Sequence, residues 1–154
     1  MKIQRYSLLI MTMTLALLAG CVSMDFKPAS DSLDKRAKAL KPAKGKALVY
    51  VVRPGFIGKP FGRDVFVDGK VIGSNCGGYF VYFMTRPGVS TIKTKGDNTA
   101  ELKIKVSSGK TYYVEQTVSP GLLKGVMGLK ILDDKDGRKK LLECKLSSQC
   151  LAAK

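Results

Sequence analysis

The chain has 154 residues, with 27 Lys and Arg against 12 Asp and Glu, a formal charge of +15 at neutral pH, and neither His nor Trp. The absence of His excludes Ser-His-Asp and Cys-His catalysis, imidazole general bases and His metal ligands together. The absence of Trp leaves any sugar-stacking platform to Tyr and Phe.

Residues 1–20 have the layout of an export signal. Lys2 and Arg5 precede a mostly apolar run from Leu8 to Leu18, and Ala19-Gly20 supply small residues beside a cut. The apolar run falls short of the roughly 20 residues a transmembrane helix needs. Leu18-Ala19-Gly20-Cys21 resembles the bacterial lipobox. That resemblance implies cleavage between Gly20 and Cys21 and a diacylglycerol thioether on the Cys21 sulfur. It further implies a palmitate-type acyl chain on the new amine. The sulfur is the alkylated atom, so Ser would not substitute. Several chains together give a stable anchor where one gives marginal binding. Val22 rather than Asp follows the cysteine. By analogy with Gram-negative sorting, this directs the protein to the outer membrane, facing the periplasm.

Two of the 27 basic residues and none of the 12 acids precede Cys21, so the rest of the chain carries +13. Such a charge is attracted to anionic lipid or cell-wall polymer. Nucleic acid is not an expected partner in that compartment. Residues 21–46 read as a basic tether with Pro28 and Pro42, able to reach about 80 Å if fully stretched. A short helix capped by Asp31 is expected over Ser32 to Leu40.

From Ala47 the pattern changes to strands. Ala47–Arg53 is a near-continuous apolar run, read as a central strand. Asp64–Val67 and Lys70–Gly73 flank Asp68-Gly69, a strong hairpin signal. Tyr79–Thr85 and Val89–Lys95 follow. In Thr99–Val106, Leu102, Ile104 and Val106 alternate with Glu101, Lys103 and Lys105, which predicts one buried and one wet face. Thr111–Val118 and Leu129–Leu132 complete the strands. Asp134–Gly137 is expected as a turn, and Arg138–Leu146 as a short helix or a further strand. The expected fold is all-β: a small antiparallel β-sandwich of about seven strands over residues 47–146, with residues 147–154 as a tail.

With Cys21 acylated, Cys76, Cys144 and Cys150 remain, an odd number. Cys144 and Cys150 enclose a short loop and are the first disulfide candidates. Cys76 with either of them is the competing arrangement.

Ala47–Gly55, Val65–Gly73, Gly78-Tyr79-Phe80, Pro87-Gly88 and Gly109–Val114 occur in that order. Together they resemble the bacterial lipoprotein family known as domain of unknown function 2846, over about Lys46 to Leu142. The resemblance implies a prealbumin-like β-sandwich and brings no catalytic residue with it. The His that the family often carries two residues after the Pro-Gly turn is Ser90 here.

Arg53 and Arg86 sit at strand ends, where a turn role competes with a grip on an acidic ligand. Gly121–Gly128 (GLLKGVMG) lacks the Gly-Lys-Ser/Thr of a phosphate cradle. Its Leu122, Leu123 and Met127 are expected to pack over one end of the sandwich, or else to form a contact patch for a partner. Asp133, Asp134, Asp136 and Glu143 lack the first ligand of a calcium loop and read as a turn, so no metal or other cofactor is expected. The sequence thus points to a non-enzymatic envelope lipoprotein. It would bind a periplasmic protein or peptidoglycan, or serve as a structural accessory of a larger envelope complex. Convergence of Arg53, Arg86 and Tyr112 would favour a ligand site, and their dispersal a scaffold.

Overall fold

The computed structural model describes residues 28–55, 61–123 and 125–148. Among the described residues, nine strands form two sheets. The first has the order β8-β7-β1-β4-β9 and the second β3-β2-β5-β6. The strands are β1 (Ala47–Arg53), β2 (Arg63–Val67), β3 (Lys70–Asn75), β4 (Tyr79–Thr85), β5 (Gly88–Lys95), β6 (Thr99–Val106), β7 (Thr111–Ser119), β8 (Val126–Leu132) and β9 (Lys145–Leu146). Two helices, α1 (Asp31–Lys38) and α2 (Asp134–Glu143), complete the described elements.

β1 explains the layering. All seven of its residues are buried, because both of its faces are covered. Val49 and Val51 point between the sheets, with Val65, Ile92, Ile104 and Val114. Leu48, Tyr50 and Val52 point the other way, into a second core with Phe80, Tyr113, Leu141 and Leu146. The Tyr50 ring stacks on Tyr113 at 5.6 Å and 12°. The Tyr50 hydroxyl donates to the Ala37 carbonyl of α1 at 2.6 Å. The fold is therefore a β-sandwich with a helical layer on one sheet.

The sheets are not purely antiparallel. β1 runs parallel to β7 and β4 parallel to β9, because the chain crosses over the sandwich between these pairs. β8 starts at Val126, earlier than expected, because Asn98 clamps its first turns. The Asn98 Nδ2 donates to the Met127 carbonyl at 3.0 Å and its Oδ1 accepts from the Met127 N–H at 2.7 Å. The Asp68-Gly69 hairpin is present, with both residues at positive φ (49° and 84°), as a two-residue primed turn requires.

The tether expectation is corrected from Pro28 onward. Ser30, not Asp31, caps α1, its side chain accepting from the Leu33 N–H at 3.4 Å. Ala29 and Ala37 are buried against the first sheet. Asp34 is 4% exposed and latches the two ends of the domain together. Its carboxylate accepts from the Leu146 N–H at 2.7 Å and from Lys38 at 2.9 Å. Pro28 bridges Ser147 antiparallel. The expected turn at Asp134–Gly137 is the first turn of α2, capped by Asp133, whose carboxylate accepts from the Asp136 N–H at 2.8 Å. A residue as small as Gly137 lets α2 lie directly on Tyr113.

Candidate functional site

The paired Arg expectation fails on geometry. Arg53 ends β1 and is 2% exposed. Its Nη1 donates to the carbonyls of Phe61 and Asn75, both at 3.0 Å. It holds loops together from inside. Burial pulls the guanidinium down to about 10, a shift the nearby Cys76 thiol opposes and Arg63 adds to. Arg86 is exposed at the other end of the sandwich, just after Thr85, which pairs with Ala47 at the start of β1. Tyr112 lies at Arg86's end, its hydroxyl accepting from the Ser107 N–H at 2.9 Å to close the β6–β7 turn, and Arg53 is at the opposite end. The three side chains do not converge.

The β7–β8 loop resolves differently from the packing expected of it. Met127 is 3% exposed and belongs to the interior, so it is no contact residue. Leu122 and Leu123 are 91% and 86% exposed. The loop that carries them is nonetheless held. The Asp97 carboxylate in the β5–β6 turn accepts from the N–H of Leu123 at 3.0 Å and of Gly125 at 3.2 Å. Gly125 takes a φ of +79°, which a side chain would strain. Two bare leucines thus stand on a pinned backbone. Isolated surface leucines are ordinary, but an adjacent pair on an anchored tip is a candidate contact surface.

A second feature escaped the sequence reading. An open basin of about 600 Å³ lies on the outer face of the second sheet, lined by Phe66, Thr91, Lys93, Lys95, Glu101 and Lys103 among others. Lys93 pairs with Glu101 at 2.8 Å, and that contact lowers the Glu101 pKa. The Lys95 ammonium lies 5.2 Å from the Phe66 ring centroid. The signal was the alternation of Lys93 with Lys95 and of Lys103 with Lys105, which aligns them outward on neighbouring strands.

Cys76 and Cys144 are both buried and are not bonded to each other. Burial pushes the Cys144 thiol up to about 12, opposed by a hydrogen bond from the Arg53 backbone. A thiol so shifted is a poor nucleophile. Gly20, Cys21 and Cys150, and with them the lipidation, cleavage and Cys144–Cys150 expectations, lie outside the described residues. No described helix is long and apolar enough to cross a membrane. No group of three or more Cys, Asp or Glu able to hold a metal ion occurs among the described residues.

The family described as "Protein of unknown function (DUF2846)" matches residues 43–128, from the turn before β1 into β8. The chain belongs to the DUF2846 family. The matched span contains the strands of the second sheet and the center of the first, together with the Asp97 clamp. An uncharacterized protein of Haemophilus influenzae is 30% identical over 125 residues, covering 80% of this chain and 73% of that relative. No solved structure matches the chain.

Proposed function

We propose that this DUF2846 chain is a non-enzymatic envelope lipoprotein, held at the outer membrane by acylated Cys21 and docking on a periplasmic protein through Leu122 and Leu123. The carrying observation is the pair itself, 91% and 86% exposed on a loop pinned by Asp97. Ordering the backbone in advance removes part of the entropy loss of docking. Arg53 lies at the opposite end of the sandwich from Arg86 and Tyr112, which favours a scaffold that docks on a protein over a small-ligand site. The lipobox at Leu18–Cys21 supports the anchor.

The test is a photo-crosslinking residue placed at position 123 in cells, with Cys21→Ala beside it. The reading expects one discrete protein adduct, lost when Leu122 becomes Ser, and loss of membrane retention in Cys21→Ala. Adducts to lipid alone, or none, would refute the docking role. The lysine-lined basin favours a second reading, a contact with cell-wall polymer. Co-sedimentation with purified peptidoglycan that persists in high salt and disappears in Lys93→Glu with Lys103→Glu would support it.

A further inference from the structure

The two ends of the sandwich differ in chemistry. At one end lie the connections that lead into β1, from β4 to β5, and from β6 to β7. They are adjacent. Ala47 pairs with Thr85 and Leu48 with Thr111, and the Gly109 N–H donates to the Lys46 carbonyl at 2.9 Å. Residues 41–46, 86–87 and 107–110 contain Lys41, Lys44, Lys46, Arg86 and Lys110 and no Asp or Glu. All five cations are exposed. The ion pairs among the described residues use Lys38, Lys93, Arg138, Lys140 and Lys145 instead. β8 runs toward this end, so Asp133, Asp134 and Asp136, which follow Leu132, lie near it. Asp133 caps α2, Asp134 pairs with Arg138 at 2.9 Å, and Lys135 stands between Asp134 and Asp136. The opposite end carries Asp97 and the bare Leu122-Leu123 tip.

The direction of the chain distinguishes the ends again. β9 runs parallel to β4, away from Tyr79 and toward Thr85. Pro28 pairs antiparallel with Ser147, and the Ala29 N–H donates to the Leu146 carbonyl at 3.0 Å. The chain at Pro28 is therefore travelling away from the basic end, so its upstream side faces that end. Ser147 is level with Val81, four residues short of Thr85, or about 13 Å of strand. Six residues lie between Cys21 and Pro28, a contour of at most about 25 Å over the seven steps. That length reaches past the basic end.

We propose that the basic end, built from Lys44, Lys46, Arg86 and Lys110, rests on the anionic phospholipid headgroups of the membrane that holds Cys21, so that the Leu122-Leu123 tip points away from the bilayer. This orientation rests on the acylation proposed above. Exposed loop cations that enter no ion pair among the described residues are available to an external anion, and a headgroup layer presents such anions across a plane. The short link to Cys21 holds the face at the surface, where attraction acts within a Debye length. It also sets the division of labour: one end reads the bilayer and the other is presented to the periplasm.

The experiment uses the mature lipoprotein in vesicles of phosphatidylethanolamine, with or without phosphatidylglycerol, doped with a headgroup spin-labelled lipid. Line broadening of backbone amides is the readout. In phosphatidylglycerol vesicles, broadening centered on residues 44–46 and 107–110 and weak at 121–125 is expected, with the contrast fading as salt rises. Broadening centered on Leu122 and Leu123, on the Lys93–Lys103 basin, or spread evenly, would overturn the proposal. The mass of the mature chain reports separately whether Cys21 is acylated. If it is not, the anchor reading fails, and the same face is read by sedimenting that chain with the same vesicles. Reversing Lys44, Lys46 and Lys110 to Glu should then weaken partition by about a hundredfold or more, at roughly a factor of five for each positive charge lost and further repulsion from each negative charge gained. Unchanged partition refutes the face independently of the anchor.

Discussion

Gly137→Ala isolates the contact between the helical layer and the first sheet. In an open helix this substitution stabilises by about 0.5–1 kcal/mol, because Ala loses less backbone entropy than Gly. Here a Cβ would sit 2.2 Å from Tyr113 Cγ and 2.4 Å from Tyr113 Cβ, against an ordinary carbon separation of about 3.5–4.0 Å. These atoms are close to the backbone of β7, and the ring beyond them is stacked on Tyr50, so the tyrosine cannot swing aside. α2 must lift by about 1 Å or more, loosening Leu141 from the core. Overpacking of this kind costs about 1–3 kcal/mol, occasionally more, which exceeds the propensity gain. The expected net loss is about 1–2 kcal/mol, or roughly 4–8 °C in Tm for a domain near this size. Thermal and urea denaturation of Gly137→Ala beside Lys139→Ala, an exposed site on the same helix, measures it. The Lys139 variant should stay within about 0.5 kcal/mol of the parent. A Gly137→Ala protein as stable as the parent would refute the assigned seat of α2 on Tyr113.

Replacing Leu122 and Leu123 by Ser should leave folding stability within about 0.5 kcal/mol, since both side chains are already in water. The same change should weaken a docked partner by about 3 kcal/mol or more, if each buries as a leucine normally does; titration calorimetry with the crosslinked partner separates the two effects. Asp34→Ala removes the acceptor of the buried Leu146 N–H and strands Lys38. It should destabilise by about 2 kcal/mol, and limited proteolysis should then cut between Pro28 and Leu40. Alkaline pH should erode stability through Cys144, whose thiol is raised from 9.0 to about 12 by burial. The unfolded thiol ionises first, so this contribution is complete below pH 9 and is lost between about 9 and 12, by up to about 1.4 kcal/mol per unit. Cys144→Ala should flatten that part of a stability–pH curve, and an unchanged slope would refute the shift.

The strands were legible because their signals are local. β1, β4 and β6 have the limits the sequence predicts, since each apolar run or alternation is bounded by Pro, Gly or Asn. The helices were partly legible, but their packing as a layer on the first sheet was not, for a tertiary reason. α1 is mostly polar, and it is fixed by Asp34 reaching the Leu146 N–H, 112 residues away, which no window of sequence displays. Its buried residues are Asp34 and Ala37, with Leu33 packed beside them, too few apolar positions to distinguish it from a linker. The doubly covered β1 was the available clue. A strand apolar on both faces needs two layers against it, and one sheet supplies only one of them.

The site was harder to read because charge and apolarity each had two destinations. Arg53 and Arg86 share an Arg-Pro-Gly context in sequence, yet one lies under two loops and the other stands in water. The difference is set by the partner strand, not by the local motif. β1 turns its last side chain into the space between the sheets, where the Phe61 and Asn75 carbonyls satisfy it. Arg86 follows the last residue of β4, where no second sheet covers it. The same logic divides the leucine-bearing loop. Met127 enters the β8 ladder opposite Val118 and goes inside, whereas Leu122 and Leu123 precede the ladder. Asp97 anchors the backbone there without providing any apolar surface for them to cover. Ladder membership alone does not decide burial, since Val126 pairs with Ser119 and is still exposed; the face a residue takes within the ladder decides whether it supports the structure or remains available for contact.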